Sequence, residues 1–132
     1  MKVPKIGLLV CNSGSSNSGV LTGIAAMQVL QEFGSDRVGI CSLPALANEI
    51  PRQVMTVKNL EHLIVVDGCA NSCAKKVTEK LGLSYNAYIN LEHDLHIKKL
   101  GPFSTLKSSS EEVRVVTDEI RARVKQFESA GG

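Results

Sequence analysis

Two short segments, Ile6-Gly7-Leu8-Leu9-Val10 and Leu63-Ile64-Val65-Val66, are apolar throughout, with one glycine and no polar residue. A strand with one wet face alternates apolar and polar residues. A strand with no polar position is covered on both faces, which is the condition of a parallel sheet sandwiched by helices. The text between these runs fits that reading. A helical pattern follows from about residue 18 to 33, with Val20, Ile24, Met27 and Leu30 on one stripe and Gly34 placed to end it. A second strand is expected over 37–41, and short helical turns interrupted at Pro51 over 45–59. After the third strand come a helix near 71–81, closed by Gly82, and a fourth strand near 87–91. Ser109-Ser110-Glu111-Glu112 is a capping box, and Val113, Val116, Ile120, Val124 and Phe127 keep one face of the helix it opens.

The order β-α-β-(α)-β-α-β-loop-α predicts an α/β fold. It is a three-layer, doubly wound, four-stranded parallel sheet of order 2-1-3-4, Rossmann-like or flavodoxin-like. The 132 residues are read as one domain, 1–132, with 129–132 frayed.

Composition excludes several classes of function. Lys plus Arg is 15 and Asp plus Glu is 13, a formal charge of +2, without a basic run. With no Trp and few other aromatics to stack on bases, no nucleic-acid partner is expected. No apolar run approaches the roughly 20 residues of a membrane span, so no membrane partner is expected. The opening residues carry no secretory pattern, and a cytoplasmic location follows. In that compartment cysteines stay reduced and serve metal or redox chemistry.

The four cysteines share one address. Cys11 closes the first strand, Cys41 the second and Cys69 the third, and Cys73 opens the next helix. Adjacent parallel strands lie about 4.8 Å apart, so three neighbouring strand ends can direct thiols to one spot at the carboxyl edge. Ligands of open α/β sheets bind there. Four thiolates suit zinc in tetrahedral geometry, and iron accepts the same set. Their surplus negative charge calls for donors: backbone N–H groups of the glycine-rich turns, helix N-termini, and Lys75 and Lys76. Asp67, Gly68 and Ser13 are candidates for the shell that orients the cysteines.

The segment Val65-Val66-Asp67-Gly68-Cys69-Ala70-Asn71-Ser72-Cys73-Ala74-Lys75-Lys76 resembles the signature of the DGC-domain family of zinc-binding proteins. The Cys11-Asn12-Ser13-Gly14 turn and Cys41-Ser42-Leu43-Pro44 are similar to it as well, and the likeness runs from about residue 5 to 92. It implies that Cys11, Cys41, Cys69 and Cys73 bind zinc, in a structural or a metal- or sulfur-handling role. It implies no reaction.

Rival readings use the same residues. The turn from Cys11 to Gly19 looks like the phosphate loop of small tyrosine phosphatases, but the position that needs an arginine holds Asn17. Dithiol redox chemistry would use Cys69 and Cys73, although three residues separate them instead of two. A thiol enzyme would use Cys11, and a metal-assisted enzyme would leave one zinc position open, with His93 or His96 nearby. His62 precedes the third strand and belongs to the opposite edge.

Overall fold

A computed structural model describes residues 3–130 of the chain. Four strands, β1 (Ile6–Val10), β2 (Val38–Ile40), β3 (His62–Asp67) and β4 (Ala87–Asn90), form one sheet of order β2-β1-β3-β4. Every pairing is parallel. The expected topology is the observed one.

Alternation along the strands divides the sheet into two apolar faces. Ile6, Leu8, Val10, Ile64 and Val66 face the layer formed by α1 (Asn17–Phe33) and α6 (Ser110–Ala130). Leu9, Leu63 and Val65 face α2 (Leu43–Ala47), α3 (Pro51–Lys58) and α4 (Cys73–Lys80). A short α5 (Leu91–Asp94) follows β4. Pro51 does not merely interrupt a helical stretch. It is the first residue of α3, where its missing N–H costs nothing.

The capping box at α6 forms as read. Ser109 Oγ accepts from the Glu112 amide at 3.1 Å, and Glu112 Oε1 accepts from the Ser109 amide at 2.9 Å. Val116, Ile120 and Val124 are fully buried, each contributing about 1.5–3 kcal/mol through burial. The helix continues to Ala130, and the last two residues of the stretch expected to fray, 131 and 132, lie outside the described residues.

The expected α1 stripe needs correction. Ile24 and Met27 are 38% and 48% exposed, and the buried face is Leu21, Ala25, Ala26 and Val29 with Ser18 and Thr22. The helix is apolar around most of its circumference, so several stripes were available. The small alanines decide between them, because they let α1 lie close against the sheet and α6. Gly34 closes the helix at φ +89°, its amide donating to Leu30 O. Among the described residues, no helix is long and apolar enough to cross a membrane.

Candidate functional site

All four cysteines are free thiols. A cleft of about 330 Å³ opens at the carboxyl edge of the sheet, lined by Cys11, Cys69 and Cys73 together with Ser13, Ser18, Asp67, Gly68, Ser72 and Lys99. Three of the expected cysteines therefore share one cleft. Cys41 lines a separate cavity with Pro4, Gly7, Gly39, Thr56 and Leu60.

Strand register explains the difference. Leu8 pairs with Ile40, so Cys41 stands level with Leu9, two residues short of Cys11. Two residues of strand are about 6.6 Å. The Cys41 side chain also leans away from the edge, with its sulfur 3.0 Å from where a Cβ on Gly7 would sit. Burial pushes its thiol pKa up to about 12. Cys41 is thus a neutral, half-buried thiol against the apolar layer.

Each thiol in the cleft has a distinct setting. Cys11 Sγ accepts from the Gly68 amide at 3.3 Å and lies 3.7 Å from Thr22 Oγ1. Cys69 Sγ accepts from Lys99 Nζ at 3.6 Å. Cys73 is exposed at the first position of α4.

The Asp67-Gly68-Cys69 sequence has a separable reason at each position. Asp67 is 1% exposed and spends its carboxylate on α4: Oδ1 accepts from the Ala74 amide at 2.8 Å and Oδ2 from the Lys75 amide at 3.0 Å. It does the work of an N-cap, which the cap residue Ser72 leaves undone in its left-handed conformation, φ +53°. Tyr88 Oη donates to Asp67 Oδ2 at 3.0 Å, and burial, first among several causes, raises the Tyr88 pKa to about 12. A Cβ on Gly68 would lie 2.7 Å from the carbonyl carbon and oxygen of Ser18, so only glycine lets the β3 end meet the start of α1. Cys69 then presents its thiol to the cleft.

The cation of the site is one that sequence reasoning missed. Lys75 Nζ sits 5.0 Å above the Tyr88 ring, and neither Lys75 nor Lys76 lines the cleft. Lys99 does, from an irregular segment whose lysines carry no periodic signal. His93 and His96 are exposed and do not line the cleft. His62 stacks on Phe127 at 4.8 Å, at the far end of β3.

Three soft thiols on one cleft wall suit zinc in chemistry. In geometry they share a cleft without a common centre: among the described residues, no three His, Cys, Asp or Glu side chains converge to hold an ion. Loading would require side-chain rotation, which the exposed Cys73 is freest to make.

No curated protein and no solved structure matches the chain. The model of the DGC domain matches residues 8–120, from within β1 to the buried middle of α6, and so takes in all four cysteines. The chain therefore belongs to the DGC domain family.

Proposed function

We propose that the chain binds zinc in the carboxyl-edge cleft, with Cys11, Cys69 and Cys73 as thiolate ligands and Cys41 as the fourth. The observation that carries this reading is that three thiols from two separate chain segments, the end of β1 and the β3–α4 turn, line one cleft. Charge supports it as well. Four thiolates around a divalent cation leave two surplus negative charges, and Lys99 brings one positive charge against them to the same wall. Cys41 ranks differently from the other three, because it must turn away from Gly7 and lose its proton before it can ligate. Iron, which accepts the same thiolates, is the competing metal.

The role is structural or concerned with handling metal or sulfur. The chain works in a reducing cytoplasmic compartment, where four free thiols persist. Cobalt(II) titration of the metal-free chain tests the reading. Intense thiolate-to-cobalt absorption with a one-to-one end point supports it, and weak octahedral cobalt spectra count against it.

A second reading has one observation in its favour, the Lys99 ammonium beside the Cys69 sulfur. A cation beside a thiol is how reactive cysteines are built. Thiol-based redox or metal-assisted chemistry at Cys69 and Cys73, or at Cys11, would be seen as turnover lost in Cys69→Ser with zinc content unchanged.

A further inference from the structure

The turn from Cys11 to Gly19 has the Gly/Ser make-up of a loop that cradles an oxyanion, yet it carries Asn17 where such a loop needs a cation. Asn17 is 1% exposed, and its side chain grips the backbone on both sides of Lys99. Asn17 Nδ2 donates to Lys98 O at 3.0 Å, and Asn17 Oδ1 accepts from the Leu100 amide at 2.8 Å. Further bonds tie the segment to the loop: Ser104 Oγ accepts from the Asn17 amide at 2.9 Å and lies 3.2 Å from Asn17 Oδ1, the Ser104 amide donates to Ser15 O at 3.1 Å, and Thr105 Oγ1 donates to Gly14 O. The clamp fixes the main chain around Lys99 while the Lys99 side chain lines the cleft. A cation thus reaches the cleft from a distant segment, held in place by Asn17 of the loop.

The other side of this end of the cleft is the first turn of α1, a helix of 17 residues. Its N-terminus carries partial positive charge. The amides of Asn17 and Gly19 are already taken, by Ser104 Oγ and Ser16 Oγ. Ser18 is different. It is fully buried, it lines the cleft, and among the described residues its Oγ has no hydrogen-bond partner. Buried hydroxyls are almost always paired, so the Ser18 hydroxyl calls for a partner that a water or a ligand in the cleft would supply. Asp67, the acidic residue lining the cleft, has both oxygens engaged by α4 amides and Tyr88.

We propose that the α1 end of the cleft binds a small oxyanion through Ser18 Oγ and Lys99 Nζ, with Asn17 as the positioning residue for Lys99. This site shares Lys99 with the zinc reading, its Nζ donating to Cys69 Sγ at 3.6 Å, but takes no sulfur ligand, so titrating the metal-free chain tests it apart from zinc.

The test is an amide NMR titration of the metal-free full chain with inorganic phosphate at constant ionic strength. A parallel acetate titration separates a tetrahedral oxyanion from a carboxylate. The expected result is a saturable shift of the Ser18, Gly19 and Gly68 amides. Lys99→Met weakens binding about tenfold and Ser18→Ala about threefold, the sizes of a charged and a neutral hydrogen bond. Asn17→Ala, shown folded by circular dichroism, weakens binding as Lys99→Met does, and the double variant is no weaker than either. Loss of fold alone would not give that non-additivity. Lys99 is only half-buried, so Lys99→Met keeps the test decisive even where Asn17→Ala does not fold. Linear, non-saturating shifts with both anions overturn the proposal, as does unchanged affinity in Lys99→Met and Ser18→Ala.

Discussion

The amide of Gly68 donates to the sulfur of Cys11 across 3.3 Å, joining the end of β3 to the end of β1. The contact needs the β3 turn to press against the first turn of α1, where a Gly68 Cβ would come within 2.7 Å of the Ser18 backbone. A glycine and a cysteine far apart in sequence thus specify the cleft wall together.

Gly68→Ala is the first prediction. Its added carbon meets backbone atoms, which cannot swing aside, so relief must come from separating β3 and α1. Urea unfolding is expected to show a loss of about 1–3 kcal/mol, in the range of overpacked cores. An unchanged midpoint would mean that the close approach is not required.

Asp67→Ala removes the acceptor of two α4 amides and of the Tyr88 hydroxyl. Hydrogen bonds to a buried carboxylate matter more than neutral ones, and the loss is expected to be about 3 kcal/mol. Hydrogen exchange should show the first turn of α4, which carries Cys73, opening before the sheet does. A uniform loss across the whole chain would contradict the capping role.

Cys41 gives a pH prediction with a definite sign. Its folded pKa is raised from 9.0 to about 12, so the unfolded chain releases this proton first. Between those values the unfolded state binds fewer protons, and stability falls as pH rises; below 9.0 the group contributes no slope. The expected slope from this one group is on the order of 1 kcal/mol per pH unit. Cys41→Ala should flatten the alkaline limb relative to the parent chain, measured by urea unfolding at several pH values. Iodoacetamide should modify the exposed Cys73 first and Cys41 last. Early labelling of Cys41 would contradict its burial.

Zinc removal is expected to lower thermal stability without unfolding the chain. Each face of the sheet buries its own apolar layer, so the fold is expected to persist when the metal is removed. Zinc would stabilise by mass action, raising the melting temperature with concentration. Far-ultraviolet circular dichroism that collapses on chelation would show the metal to be structural in the strict sense.

Much of this arrangement was legible from sequence. Uninterrupted apolar runs announce a parallel sheet, and Ser109 with Glu112 announces the start of α6, because both signals are local. What was not legible depends on pairing. Cys41 lies one residue past the end of β2, and its level is set by Leu8 lying beside Ile40, a register that no local pattern carries. The buried side of α1 was not legible because Ile24 and Met27 are as apolar as Leu21 and Val29. Lys99 was missed because an asparagine in another segment positions it. The Asp-Gly-Cys motif was legible as a signature, whereas its division into helix cap, close contact and thiol required the packed chain.

The proposed function requires the cleft thiols to hold one metal between them. Zinc content per chain, measured on protein purified without chelator and on each single Cys→Ser variant, tests it most directly. Near-stoichiometric zinc is expected in the parent chain, with its loss in Cys11→Ser, Cys69→Ser and Cys73→Ser. Cys41→Ser should retain zinc at saturation but bind it more weakly. Full zinc retention in any of the first three variants, or a parent chain that takes up none, would contradict it.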